Sequence, residues 1–299
     1  MHIVTIEDCV SEFLRLRESV LRPKTHKKYQ AVFGKHYIPA FKGRDVNSIE
    51  YSEWLEFFDE KAAISPKNAA STLTNGKTLF SWCKRRQIIP DNPLADMRIS
   101  DVGKNSDVGT RTLSINECRI VWANLDKTRS YPGVIAAIKL CMIWGCRQGE
   151  ILNATRDHFD LDEMIWTVPA SLSKTGKPIR RPITPYHLEI LTEMWEMFGT
   201  GGLLLPSVKD TPHPISLSAL RRSKNKIIEM KSMTPFNLHD LRRTIVTRLS
   251  ELDVMPHVTE KMLGHELSGI MAVYNKHDWL EDQRKAYTLW CEKVIPSPL

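Results

Sequence analysis

At 299 residues the chain has room for about two domains, each large enough for its own core, and 42% hydrophobic with 26% charged residues is ordinary for a soluble globular protein. The longest apolar stretches are broken by charges well short of a bilayer span, and the start at Met1–Asp8 has neither a basic n-region nor an apolar h-region, so neither a membrane-spanning segment nor a secretory signal is expected. A net charge of +7, from 42 Lys and Arg against 35 Asp and Glu, is a mild pointer to nucleic acid that many unrelated enzymes share.

The first hundred residues read as helix after helix. Ile6, Val10, Phe13 and Leu14 recur at helical spacing behind a capping Thr5. Pro23 and Thr25 open a second helix with Tyr29, Val32, Phe33 and Tyr37 on its apolar face. A third starts near Ser52 with Trp54, Leu55 and Phe58. Ser65-Pro66 is a cap followed by proline at the first helical position, and the helix it starts ends near Arg86 with Leu73, Leu79, Phe80 and Cys83 inward. Lys24, Lys27 and Lys28 form one basic cluster, joined by Arg22; Lys84, Arg85 and Arg86 form another. Such runs are usually solvated helix faces, but two on one small helical domain point to a DNA-facing surface. Pro90-Asp91-Asn92-Pro93 stops the pattern, which places a first domain at 1–97 and a polar, glycine- and serine-containing linker at 98–110.

The second domain, 111–299, opens with a capping box at Ser114 and Glu117. Tyr131-Pro132-Gly133 starts a strongly apolar helix over 134–143, which ends in Gly145-Cys146-Arg147-Gln148-Gly149-Glu150. Residues 164–169 and 181–184 flank Ser173-Lys174-Thr175-Gly176-Lys177 and predict an antiparallel hairpin with glycine at the turn. Helical patterns follow over 185–197, 216–230, 239–252, 255–263 and 280–294, so the fold class is mainly α with a small antiparallel β-sheet. The six cysteines, at 9, 83, 118, 141, 146 and 291, lack any C-x-x-C pair and read as reduced thiols of a cytosolic protein, with no zinc site.

The chemistry concentrates in 237–274. His239 and Arg242 are three apart and share a helix face, Leu263-Gly264-His265 follows, and Tyr274 comes nine residues later. A cation cluster that can hold a phosphate, beside a tyrosine that could attack it, is the chemistry this stretch suggests. Displacement at phosphorus requires an in-line nucleophile, neutralisation of the charge growing on the phosphoryl oxygens, and a proton for the leaving oxygen. Two arginines suit the second task because each planar fork makes parallel contacts to one phosphate and stays charged.

Taken together, Gly145-Cys146-Arg147-Gln148-Gly149-Glu150, Ser173-Lys174-Thr175-Gly176, His239-Asp240-Leu241-Arg242, Leu263-Gly264-His265 and Tyr274 resemble the tyrosine recombinase (phage integrase) family over roughly 111–296. The tail around Tyr274 is most similar to integrases of satellite phages and genomic islands. The four-helix start resembles the family's core-binding domain on weaker, pattern-level grounds. The resemblance implies a core-binding DNA domain at 1–97 and a catalytic domain at 111–299 whose last helix docks on a neighbouring protomer through Tyr287 and Trp290. It also implies that Tyr274 forms a 3′-phosphotyrosine, that Arg147 and Arg242 bind the scissile phosphate with help from His265, that Lys174 protonates the leaving 5′ oxygen, and that His239 assists as an acid/base partner. Glu150 is a supporting residue, and Arg243 joins the two basic clusters in binding DNA.

The implied partners are double-stranded recombination sites, a homotetramer on two of them, and optionally a directionality factor. The implied setting is the cytoplasm, at the nucleoid, with no membrane, cofactor or metal. Because the chain starts almost directly at the core-binding helices, no additional N-terminal arm-binding domain is expected. Each motif also has a plain structural reading. Arg-x-x-Glu is usually a surface salt bridge worth under ~1 kcal/mol, Leu-Gly-His is often a helix C-cap, and Lys177 stands as the alternative to Lys174. Recombination for inversion or dimer resolution, and relaxation of supercoils by the same active-site logic, are the alternative activities. A DNA-binding regulator with a decayed site is disfavoured, since all the site residues are in place.

Overall fold

Thr5 opens the first helix by accepting a hydrogen bond from the Asp8 backbone N–H at 3.1 Å, while the Asp8 carboxylate accepts from the Thr5 N–H at 2.9 Å. Reciprocal capping of this kind satisfies donors that a helix start otherwise leaves unpaired. In the computed structural model, which describes residues 3–105, 107, 109–207, 212–265 and 277–296, the chain divides into two compact units, Met1–Val108 and Gly109–Leu299.

The first unit contains α1 (Ile6–Arg17), α2 (Pro23–Val32), a π turn (Phe33–Tyr37) that runs straight into α3 (Ile38–Ala40), then α4 (Tyr51–Ile64), α5 (Pro66–Arg85) and α6 (Ile99–Val102). Its core is aromatic. Phe13, Phe33, Tyr37, Trp54, Phe58 and Phe80 are buried, and edge-to-face pairs such as Phe13–Trp82 (centroids 5.3 Å apart) and Trp54–Phe80 (5.6 Å) join α1, α4 and α5. Val102 is buried with this cluster, so part of the expected linker at 98–110 is folded into the first unit. One helical turn is too short to leave a readable period in the sequence.

In the second unit, Ser114 and Glu117 cap α7 (Ile115–Asn124) as expected from their spacing. The apolar α8 (Pro132–Trp144) is buried along most of its length, because it carries hydrophobic residues around its whole circumference and must be surrounded. Packed on it are α9 (Gln148–Leu152), α10 (Pro185–Phe198), α11 (Leu217–Met230), α12 (Leu238–Ser250) and α14 (Leu280–Val294); α13 (Pro256–Leu263) lies against α12 and α14. The sheet is antiparallel in the order β1 (Phe159–Asp160), β2 (Ile165–Val168), β3 (Ile179–Pro182), with Trp166 opposite both Phe159 and Arg181. β2 and β3 form the expected hairpin, with Gly176 at φ 76° in its turn. The two-residue β1 is too short to show alternation and was not anticipated.

The last helix corrects an expectation. Tyr287 and Trp290, the residues that suggested docking on a neighbouring protomer, are fully buried inside the same unit. Trp290 Nε1 donates to the Met142 carbonyl at 3.0 Å, and the Tyr287 hydroxyl donates to the Trp144 and Met262 carbonyls at 3.3 and 3.4 Å. The apolar stripe of α14 covers α8 and β3 of its own chain, and its amphipathicity is accounted for there. No described helix is long and apolar enough to cross a membrane.

His187 on α10 is fully buried and stacks on Trp144 at 4.2 Å, and burial pushes its imidazole down to about 3. Between that value and the ordinary histidine range near 6.5, the unfolded chain binds a proton that the folded one refuses. Stability therefore rises with pH across this window, by about 1.4 kcal/mol per pH unit from this residue alone. His187→Gln should flatten the dependence of unfolding free energy on pH between 4 and 6 by about that slope. An unchanged slope in denaturant titrations would rule out His187 as its source.

Candidate active site

Arg147 reaches its place because α8 ends abruptly. Gly145 terminates the helix in the left-handed region at φ 61°, and a Cβ there would lie 2.6 Å from Ile245 Cγ2 on α12, so glycine is needed both for the turn and for the close approach. Arg147 then caps α9. Its backbone N–H donates to Glu150 Oε2 at 3.0 Å and its Nη1 to Glu150 Oε1 at 2.8 Å.

Glu150 is only 1% exposed, so the Arg-x-x-Glu pair is not the surface salt bridge such spacing usually makes. Behind it lies Arg181 of β3, fully buried, whose Nη2 donates to Glu150 Oε2 at 2.9 Å and whose Nε donates to the Met262 carbonyl at 2.9 Å. Its guanidinium sits 5.1 Å from the centre of the Trp166 ring. Burial alone would raise the Glu150 carboxyl, but Arg181 and Arg147 outweigh it and hold the group below the ordinary carboxylate range. Arg181 was missed from the sequence. The available signal was the period of two in β3, where Ile179 is buried, Arg180 exposed and Arg181 buried again.

Asn237 and Asp240 cap α12, which presents His239, Arg242 and Arg243 to one cavity. Arg242 is 4% exposed and is anchored by carbonyls from two other segments, Nη1 to Gly145 O at 2.8 Å and Nη2 to Leu263 O at 2.5 Å. Burial, with Arg147 and Arg181 close by, pushes its guanidinium down to about 10, still charged at neutral pH. His239 is held below the ordinary histidine range, first by burial and then by Arg243 and Arg242. Arg243 pairs with the buried Asp240.

His265 follows α13 by the same device that places Arg147. Gly264 ends the helix at φ 65°, and a Cβ on it would stand 2.3 Å from Ile179 Cδ1. His265 Nε2 lies 3.1 Å from Arg242 Nη2, and its Nδ1 lies 2.8 Å from Glu260 Oε2. A guanidinium only donates, so Nε2 accepts from it and Nδ1 carries the proton given to Glu260. Glu260, one turn before His265 on α13, was not anticipated. Lys174 stands exposed on the β2–β3 hairpin, beside the buried Ser173, whose hydroxyl lies 2.9 Å from that of Thr175.

These segments line an open cavity of about 590 Å³ whose wall includes Arg147, Lys174, His239, Arg242, Arg243 and His265, together with Thr110, Thr112, Val246, Thr247 and Leu263. Lys177, the alternative to Lys174, is not among the residues lining it. One carboxylate, Glu150, faces three guanidiniums, those of Arg147, Arg181 and Arg242, so the cluster carries surplus positive charge that a phosphate would relieve. The expected nucleophile Tyr274 lies outside the described residues. In the first unit Lys24, Lys27 and Lys28 are exposed on α2, and Lys84, Arg85 and Arg86 are exposed around the end of α5. There Lys84 pairs with Asp91, and Arg86 lies 5.4 Å from the Trp82 ring centre. Among the described residues no group of three or more His, Cys, Asp and Glu side chains is placed to hold a metal ion.

A sequence profile of the phage integrase family matches residues 116–280. The prophage integrase IntZ of Escherichia coli (strain K12) is 22% identical over 259 residues, which is 86% of this chain and 63% of that protein, so the chain spans less than two thirds of this relative's length. Among solved structures, a lambda integrase dimer bound to a COC′ core site matches 93% of this chain and 78% of its own, with a TM-score of 0.70 at 19% identity. A lambda integrase tetramer bound to a Holliday junction gives a TM-score of 0.68 at 19% identity over the same shares of each chain. Those structural matches carry the fold, and the profile spans more than half of the sequence: the chain belongs to the phage integrase family.

Proposed function

We propose that the protein is a site-specific DNA recombinase that cleaves and rejoins strands through a 3′-phosphotyrosine and so integrates or excises a mobile element. The observation that carries this is the convergence of Arg147, Lys174, His239, Arg242 and His265 on one cavity from four separate stretches of the chain. In this reading His239 takes the phenolic proton as Tyr274 attacks the scissile phosphorus, the bond from phosphorus to the 5′ oxygen breaks, and Lys174 gives that oxygen its proton. The reverse attack by a 5′ hydroxyl rejoins the strand without ATP, because the phosphotyrosine keeps the energy of the bond. Arg147 and Arg242 hold the two non-bridging oxygens. Backbone carbonyls already fix Arg242, so little reorganisation is required when substrate arrives. With Nδ1 committed to Glu260, His265 can turn its Nε2 to the phosphate only as imidazolium or after a tautomer change.

A single cut recombines nothing, so four protomers acting on two DNA sites belong to the same proposal, in line with the lambda integrase tetramer bound to a Holliday junction. The exposed basic residues of α2 and α5 are assigned to the DNA backbone and Arg243 to the edge of the active site.

The test is trapping. A nicked duplex carrying the junction sequence that flanks the gene should give a covalent adduct linked to the 3′ phosphate, and paired sites should exchange strands. Relaxation of any supercoiled plasmid irrespective of its sequence, with no exchange, would overturn the recombinase reading in favour of a relaxing enzyme. Arg147→Ala should slow adduct formation by about 10²–10³-fold, as loss of one preorganised donor to a developing oxyanion does. Arg242→Ala should lose at least as much and also lower the melting temperature, since it strands the Gly145 and Leu263 carbonyls. Single-turnover rates and melts of both variants check this.

A further inference from the structure

We infer that Arg181 is a positioning residue for strand cleavage, acting through Glu150 on the phosphate-binding Arg147 and through the Met262 carbonyl on the segment that carries His265. The inference rests on the strand-transfer reading above and adds to it a residue outside the cavity wall.

Arg181 is fully buried on β3, the strand that closes the hairpin bearing Lys174. From there it reaches two other catalytic segments. Nη2 donates to Glu150 Oε2, the oxygen that also accepts the Arg147 backbone N–H, while Glu150 Oε1 takes Arg147 Nη1. Nε donates to the carbonyl of Met262, three residues before His265. One guanidinium thus links the Lys174 hairpin, the Arg147 turn and the His265 turn. Its guanidinium carbon lies over the Trp166 ring, 5.1 Å from the ring centre, which limits its freedom to swing away.

Stability is a poor explanation for such a group. A buried ion pair roughly breaks even against apolar packing of the same volume, whereas removing one partner leaves the other uncompensated. What the pair can do is set geometry. A displacement of about 1 Å in a reacting constellation costs on the order of 10²-fold in rate.

Losing Arg181 also has an electrostatic consequence. The groups facing Glu150 are Arg147 on its own segment, Arg181 on β3, Arg242 on α12 and Cys141 near the end of α8, while Cys146 and Tyr287 of α14 lie beside Arg181. Without Arg181, burial works against the carboxylate with less opposition, so Glu150 takes up a proton at higher pH. A protonated Glu150 surrenders an acceptor site on Arg147.

The experiment measures adduct formation on the nicked duplex, DNA affinity and melting temperature for the full chain between pH 5.5 and 8.5. Arg181→Met should bind DNA within about threefold of wild type yet cleave on the order of 10²-fold more slowly. Its rate should fall off at higher pH than the wild-type rate does as the solution is acidified. Arg181→Lys, which keeps the charge but cannot serve Glu150 and Met262 together, should recover part of the rate and return the acid limb toward wild type. Adding Glu150→Gln to Arg181→Met should remove the shifted limb. Wild-type rate and pH profile in Arg181→Met would overturn the inference. So would a rate loss that lysine does not relieve and that tracks melting temperature alone. If Arg181→Met fails to fold, Arg181→Lys decides: an intermediate rate supports the inference and a wild-type rate overturns it. Absence of any adduct from wild type would instead overturn the strand-transfer reading, and this inference with it.

Discussion

Tyr274→Phe is expected to abolish the covalent adduct while leaving DNA binding intact. Phenylalanine keeps the ring and removes only the oxygen proposed to attack phosphorus. Loss of a nucleophile that works as a unit with its charge-stabilising partners costs on the order of 10⁶ in rate, which places residual cleavage below detection on a gel. Binding should survive because phosphate affinity comes from the cationic wall, including Arg147, Lys174, Arg242 and Arg243, which the substitution does not touch. The measurement pairs a gel-shift titration with denaturing electrophoresis of the trapped product, for wild type and variant on the same nicked duplex. An adduct that persists in Tyr274→Phe would assign the nucleophile to another residue; peptide mapping of the wild-type adduct would then identify it.

Removing residues 280–299 is expected to unfold the second unit, a larger effect than loss of protomer docking. α14 contributes Ala286, Tyr287, Trp290, Cys291 and Val294 to the core of that unit, all 3% exposed or less. Truncating one large buried aromatic costs about 3–5 kcal/mol, and a domain has only about 5–15 kcal/mol in total, so losing Tyr287 and Trp290 together is enough to exhaust it. The helix is also stitched in by polar groups: Arg119 Nε donates to the Lys293 carbonyl at 2.7 Å, and Arg284 Nη1 to the Ile183 carbonyl at 3.0 Å. Circular dichroism melts and near-ultraviolet spectra of the truncated chain provide the check. A truncated protein that melts cooperatively at the wild-type temperature and still cleaves would show that α14 is dispensable to the fold.

That helix shows where sequence reading reaches and where it stops. Its bounds, 280–294, follow from the spacing of Ala286, Tyr287, Trp290 and Val294, and the structure has them at Leu280–Val294. The same spacing says only that one face must be covered, and it is α8 and β3 of the same chain that cover it. Glu150 makes the same point for charge. Its distance from Arg147 along the chain fits an exposed i, i+3 pair as well as a buried one, and the difference was decided by Arg181, thirty-one residues away. Lys174 and its alternative Lys177 lie on one polar turn, and only the closed hairpin shows that it is Lys174 that lines the cavity with Arg147 and Arg242.

Local instructions were legible because their physics is local. Caps at Thr5, Ser65 and Ser114 act within one turn, glycines at 145 and 264 end helices in a conformation that side chains disfavour, and the periods of 3.6 and 2 mark faces within single elements. The sequence by itself therefore determined the longer helices, the hairpin and the set of residue types suited to phosphoryl transfer. Tertiary structure alone decided that Arg242 is anchored by Gly145 and Leu263, that His265 is held between Arg242 and Glu260, and that Glu150 is shared by two arginines. Desolvation and charge pairing depend on distance through space, and residues as far apart in the chain as Gly145 and Arg242 meet only once α8 and α12 have packed.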